Sequence, residues 1–324
     1  MKSSQSNFIL ERWDALAVQR RFSPRTLERR LGEDVVALNE AKYVILGIEE
    51  AVGPKANYGN NGAQFAFEAF CTKFLSMQST NDFTAKNVCF VGAVKQVDGF
   101  SDVQKSCAAL VPELDEFVFD VLTRLLRSDQ IPIVIGGGHN NALPLIRFAA
   151  KTKKSALNVV NLDAHADYRP LNERHSGNPF SFAYEEGVLN NYSVFGLHKR
   201  YNAQAILDGL SKDRHWFSFA EDYIDELLDW SNDFNERFTF LNGDNVPVGI
   251  ELDLDTIERM PSSAFTPFGI SATLARKYVR KFAALNNIAY LHLPEGAPLS
   301  DLENSLVGKM LAYLVTDFIE KSNC

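Results

Sequence analysis

Residues 156–170 read ALNVVNLDAHADYRP. The first half is a nearly continuous apolar run, the pattern of a parallel strand covered on both faces. The second half places Asp163, His165 and Asp167 at alternate positions, and Arg169 continues the series. Alternate side chains of an extended segment point to one side. The two aspartates and the histidine can therefore face a single point, and Arg169 shares that face if the chain stays extended. A solvated turn tolerates acids at this spacing but rarely needs a histidine between them. The mouth of an active site does.

Seven other short runs resemble the first half: residues 42–48, 87–94, 131–137, 192–197, 215–220, 246–255 and 288–293. Between the runs lie segments whose apolar residues recur at threes and fours, at 62–77, 112–128, 221–234 and 271–285, and these predict helices. Pro112 is read as a first-turn residue of the second. Strand–helix alternation implies right-handed crossovers and one mainly parallel sheet of about eight strands. No linker divides it. Residues 1–40 are read as a helical extension laid on a single domain spanning 41–324.

Composition sets limits on function. Apolar residues make up 46% of the 324 and charged residues 23%, which places the chain among globular proteins. A formal net charge of -8 argues against nucleic acid or an anionic membrane as partner. No apolar stretch approaches bilayer length, and the opening residues lack the apolar core of a secretory signal. Cys71, Cys89, Cys107 and Cys324 form no C-x-x-C pair and are too few for a disulfide scaffold. The expectation is a cytoplasmic protein.

In parallel sheets, sites form beyond the carboxyl ends of the strands. The residues following the runs are GGGHNN, DAHADYRP, GLHKRYN, ELDLDTIERMP and HLPEGAP, so ligand-type groups collect at one end of the inferred sheet. His139 follows three glycines, and Asp253 and Asp255 repeat the alternate spacing. With Asp163, His165 and Asp167 this makes two histidines and four aspartates, more than one ion needs. Two ions sharing carboxylates fit better. Oxygen ligands with a minority of nitrogen suit Mn²⁺, with Zn²⁺ or Fe²⁺ as alternatives. Such a pair lowers the pKa of a shared water and points to hydrolysis. GGGH alone is a weak signal and a lone D-x-D weaker; DAHAD is stronger, and the three together carry the reading.

The set GGGH, DAHAD and ELDLD resembles the ureohydrolase superfamily of arginases, agmatinases and formimidoylglutamases, in the same order of elements from about residue 41 to about 300. The resemblance implies a three-layer α/β/α fold and a centre of two Mn²⁺ ions. By similarity His139, Asp163, Asp167 and Asp253 would hold one ion, and Asp163, His165, Asp253 and Asp255 the other. Asp163 and Asp253 would bridge, and Asp167 would act catalytically by orienting a bridging hydroxide.

The substrate implied is a small amidine or guanidino amino acid. Arginases usually carry Asn at the position of Arg169, whereas an arginine there resembles formimidoylglutamases. Arginine binds carboxylate bidentately, and N-formimidoyl-glutamate carries two carboxylates. HSGNPFSF resembles the substrate loop, with Ser176 and Asn178 at substrate-contacting positions and Phe180 where arginases place a proton-shuttling histidine. Two departures stand out. Glu258 and Arg259 replace the family's continuation of D-x-D, followed by a short insertion at RMPSS. His292 aligns with a glutamate that binds the amidinium, a role Glu295 could take if its loop bends inward. The expected reaction is hydrolysis of N-formimidoyl-L-glutamate to L-glutamate and formamide, as in histidine degradation. The alternatives are another ureohydrolase activity, such as that of arginase or agmatinase, or a non-catalytic relative acting as a regulatory subunit. Whether the chain forms a homo-oligomer is left open.

Overall fold

In a computed structural model, residues 6–97, 104–243 and 245–322 are described. Nine strands form one sheet: β1 (Phe8–Arg12), β2 (Tyr43–Glu49), β3 (Val88–Gln96), β4 (Ile131–Ile135), β5 (Leu157–Leu162), β6 (Leu189–Leu197), β7 (Trp216–Phe219), β8 (Val248–Leu252) and β9 (Ile288–Leu293). Their order is β1-β3-β2-β4-β9-β8-β5-β6-β7. Every pairing is parallel except β1 with β3.

Both faces of the sheet are covered, which explains why the strands read as unbroken apolar runs. Ile45, Ile133, Val160 and Ile250 point into a core with helices Ala66–Leu75, Ala272–Phe282 and Asp301–Lys321. Val44, Val134 and Val159 point into a second core with helices Gln104–Leu125, Ala142–Lys153 and Pro179–Glu185. The result is a three-layer α/β/α arrangement.

Local expectations differ from the structure at three places. The opening segment contributes more than helix. Besides the short helix Ala15–Gln19 it supplies the antiparallel edge strand β1, tied to the neighbouring helix through Asn7, whose backbone and side-chain N–H groups donate to the Glu113 carboxylate. Pro112 lies inside the helix Gln104–Leu125, because Cys107, Ala108 and Val111 extend the buried spacing upstream of the proline. The helix expected over 221–234 is broken into Ala220–Ile224 and Trp230–Gly243, with Glu226 in the left-handed region at φ 57°. No helix among the described residues is long and apolar enough to cross a membrane. Cys71 and Cys89 are buried free thiols, Cys107 is buried, and Cys324 lies outside the described residues.

The topology sets the place of the site. After β4 the chain passes over two positions to β5, and β8 and β9 later fill the gap. The carboxyl ends of four adjacent strands, β4, β9, β8 and β5, thus meet where the winding changes, which is where crevices form in such sheets.

Candidate metal centre

The turn after β4 brings His139 into the sheet's carboxyl end. Gly137 adopts φ 68°, and a Cβ at Gly138 would overlap Pro54 and Asn140. Only glycine allows the backbone this close. His139 opens a short 3-10 turn and is fully buried. Its Nδ1 lies 3.2 Å from Asp163 Oδ2, 3.0 Å from Asp167 Oδ2 and 3.1 Å from Asp253 Oδ2. Despite these distances, that nitrogen forms no hydrogen bond within the described protein.

DAHAD follows β5 and closes the set. Asp163 divides its oxygens between two directions. Its Oδ2 faces His139, while its Oδ1 accepts the His165 backbone N–H at 2.7 Å and lies 3.7 Å from His165 Nδ1. His165 Nδ1 is also 3.1 Å from Asp255 Oδ2. Asp167 reaches its place from a left-handed backbone at φ 45°, a strained conformation for aspartate. After β8, Asp253 points one oxygen at His139 and uses the other to accept the Asp255 N–H at 2.7 Å. Two groups of donors result: His139, Asp163, Asp167 and Asp253, and Asp163, His165 and Asp255. Asp163 belongs to both. Asp253 enters only the first grouping.

This donor set fits a pair of small divalent cations. Neighbouring donors around an octahedral ion with bonds of about 2.1 Å lie roughly 3 Å apart, and the three contacts of His139 Nδ1 have that separation. Electrostatics point the same way. Burial pushes the Asp253 carboxyl well above the usual range, and repulsion from Asp255 and Asp163 adds to the shift. Burial would lower the imidazole pKa of His139, but the surrounding carboxylates override it and raise the pKa well above normal. So many buried acids are compatible with folding only beside positive charge.

Four of the donors, His165, Asp167, Asp253 and Asp255, line a cavity of 230 Å³. Arg169 and Ser176 also line it. The Arg169 side chain is exposed and forms no ion pair with Glu173 or any other described acid. Besides the candidate ligand His165, Arg169 is the one basic side chain among the described lining residues. Asn178 does not reach the cavity. Its carbonyl oxygen accepts from Arg174 and the His175 N–H, and its amide donates to Asn172 and the Glu173 carbonyl, so its side chain braces the loop instead. Phe180 packs edge-on against His139 at 5.2 Å. His198 is buried between Tyr201 and Phe268. Tyr201 stacks on His165 at 5.4 Å and forms part of the wall.

Glu295, not His292, faces the cavity. The loop bends inward with Glu295 at φ 65°, and Ser262 and Ser263 hold it there. Ser262 pairs with Gly296, the Ser263 N–H donates to the Glu295 carbonyl at 3.2 Å, and the Ser263 hydroxyl bonds the carboxylate. The other carboxylate oxygen accepts the His139 backbone N–H at 2.8 Å. Burial pushes the Glu295 carboxyl up to about 8, although the bonds from Ser263 and His139 oppose the rise. The end of the RMPSS segment and the Glu295 loop are thus one structural feature.

Sequence reading missed several supports. Glu50 is fully buried and knits the turns together by accepting from the Gly138 N–H, the Asn141 amide and the Val52 N–H. Arg174 bonds Asp115 through Nε and Nη2 and also reaches Asn178 and the Asn140 carbonyl. No local pattern marks these residues, because most of their partners lie far away in sequence. Glu251 had a signal: it begins ELDLD, in step with Asp253 and Asp255. Larger grooves occur elsewhere, one of 680 Å³ near Phe65 and Leu299, but none gathers a comparable ligand set among the described residues.

A parallel α/β/α sheet with histidine and carboxylate donors converging beyond its strand ends defines the class: an α/β protein whose site suits divalent cations. The sequence model of the arginase family matches residues 41–319, and the chain belongs to that family. It is 29% identical to formimidoylglutamase of Geobacillus thermodenitrificans over 196 residues, spanning 59% of this chain and only 61% of that protein. To formimidoylglutamase of Macrococcus caseolyticus it is 24% identical over 288 residues, 84% of this chain and 83% of the relative. The solved Trypanosoma cruzi formiminoglutamase with Mn²⁺ superposes with a TM-score of 0.72 at 22% identity, covering 90% of this chain and 98% of that one. Bacillus subtilis formimidoylglutamase gives 0.74 at 16% identity, covering 91% and 93%. At these identities the two structures establish the shared fold.

Proposed function

We propose that the chain is a manganese-dependent hydrolase of amidine C–N bonds that converts N-formimidoyl-L-glutamate and water to L-glutamate and formamide. The observation that carries this is the cavity itself. Its lining carries Asp167, Asp253, Asp255 and Glu295 beside His165, together with an unpaired Arg169. That polarity matches a molecule cationic at the reacting end and anionic at the other. The formimidoylglutamases among its relatives support the choice of substrate.

His139, Asp163, Asp167 and Asp253 would hold one Mn²⁺, and Asp163, His165 and Asp255 the other. When bound, the ions supply Lewis acidity and make water nucleophilic near neutral pH. The protein's own groups do the rest. Asp167 orients the attacking water. Glu295 faces the amidinium, and Arg169 with Ser176 holds the carboxylate end. Buried carboxylates stabilise positive charge where the amidine carbon reacts, and the departing amine takes a proton. The proposal places the enzyme in the cytoplasm with a small-molecule substrate.

Turnover of N-formimidoyl-L-glutamate, arginine and agmatine by one Mn²⁺-loaded sample, with bound metal measured on that sample, tests the reading. Release of formamide from the first substrate is expected. Turnover confined to arginine or agmatine would overturn the substrate but keep the chemistry. Absence of bound metal after loading would favour a non-catalytic role.

Arg169 makes a separable prediction. Hydrogen bonds to charged groups contribute about 1.5–3 kcal/mol, so Arg169→Ala should raise KM for the dicarboxylate by roughly 10- to 100-fold with a smaller change in kcat. An unchanged KM in steady-state kinetics would return Arg169 to the ordinary surface.

A further inference from the structure

On the side of His139 away from the cavity, polar groups are packed within the sheet. Glu251 on β8 and His292 on β9 are partners across the ladder, flanked by the apolar residues Ile250, Leu252, Leu291 and Leu293. Glu251 Oε2 lies 2.6 Å from His292 Nδ1 and 3.5 Å from His139 Nε2. Its Oε1 accepts the Tyr290 hydroxyl at 2.8 Å, and its backbone carbonyl accepts the Tyr278 hydroxyl at 3.0 Å. Glu251, His292, Tyr290 and Tyr278 are all fully buried.

A carboxylate this deep is costly unless its lone pairs are met and its charge is used. Tyr290 and His292 hold the Glu251 carboxylate from two sides. The remaining direction of Oε2 faces His139 Nε2, a nitrogen that no described group hydrogen-bonds. On the opposite edge of the same ring, Nδ1 faces the oxygens of Asp163, Asp167 and Asp253.

We propose that Glu251, clamped by Tyr290 and His292, is a positioning residue that takes the Nε2–H of His139 and so aims the Nδ1 lone pair into the cation site. A small rotation of the ring shortens the 3.5 Å contact into a hydrogen bond. A carboxylate behind a ligating histidine selects the tautomer, fixes the ring plane and raises the basicity of the ligating nitrogen. The assignment rests on the two-ion reading above. It also accounts for His292, which the substrate cavity leaves unused.

The test is Mn²⁺ binding, followed by the electron paramagnetic resonance of free Mn²⁺ during titration of the metal-free protein, with thermal melts of the same metal-free samples. The parent is expected to bind two ions. Glu251→Gln should weaken one of them by about 10- to 100-fold, as loss of such outer partners does, and leave the other near the parent value. Tyr290→Phe removes one clamp with little change in volume. It should weaken the same ion by a few-fold, and it serves as the test if Glu251→Gln does not fold. Parent-like binding of both ions by the variant tested would overturn the proposal. So would equal weakening of both ions together with a lowered melt, which marks a purely structural role. A parent that binds a single ion would sink the two-ion reading instead. Weakening of that ion by Glu251→Gln would then still assign Glu251 to His139, and an unweakened ion would overturn the assignment.

Discussion

Asp163→Asn should abolish turnover for practical purposes and strip the centre of metal. Asp163 contributes to both donor groups, with one oxygen toward His139 and the other toward His165. Asparagine keeps the volume but removes the charge, and its amide cannot ligate through both atoms. Metal catalysis supplies several kcal/mol of transition-state stabilisation. At about 1.4 kcal/mol per tenfold, the rate should fall by roughly 10³-fold or more. Metal analysis after Mn²⁺ loading should find fewer than two ions per chain. Retention of both ions at parent affinity would remove Asp163 from the bridging place, whatever happened to the rate.

The second large effect lies outside the cavity. Arg174→Ala leaves Asp115 buried without its cation. The guanidinium contacts both Asp115 oxygens at 2.9 and 3.1 Å, and both residues are nearly inaccessible. Breaking a buried pair from one side costs about 3–5 kcal/mol. For a chain of this size that lowers Tm by about 4–7 °C. The same guanidinium ties the loop of Ser176 to Asn140, the neighbour of His139, so kcat and KM should worsen together. Burial already raises the Asp115 carboxyl, with Arg174 opposing the shift. Without Arg174 the folded-state pKa rises further. A group whose folded pKa exceeds its unfolded one costs stability as pH climbs through the folded value, so the Tm gap should be wider at pH 8 than at pH 5. Calorimetry at both pH values measures it. The pair Asp115→Leu with Arg174→Met should recover much of the stability while leaving the loop untied. A single-variant Tm within about 2 °C of the parent would show the ion pair to be dispensable.

Strand positions were legible because burial on both faces erases polar residues from the interior of a parallel strand. The eight inferred runs correspond to β2 through β9. β1 was not legible, since an edge strand of five residues, with Ile9, Glu11 and Arg12 facing outward, carries little hydrophobic signal. Helix limits were less certain for a similar reason: apolar spacing marks which face is buried, not where a helix starts, as Pro112 shows.

The donor residues could be read because period-two spacing after a buried strand presents them on one face. Asp163, His165, Asp167, Asp253 and Asp255 therefore followed from local geometry and residue chemistry, as did His139 from its glycines. Local pattern alone specifies an α/β sheet with a ligand-rich carboxyl end. Tertiary structure decided the rest. It turned Glu295 inward through a bond from Ser263, removed Asn178 from the cavity by saturating its amide, and set Glu251 and His292 behind His139. Glu295, Glu251 and His292 depend on partners distant in the chain, and Asn178 on how its own loop closes on itself; the direction of a side chain is settled by which group meets its polar atoms once water is excluded.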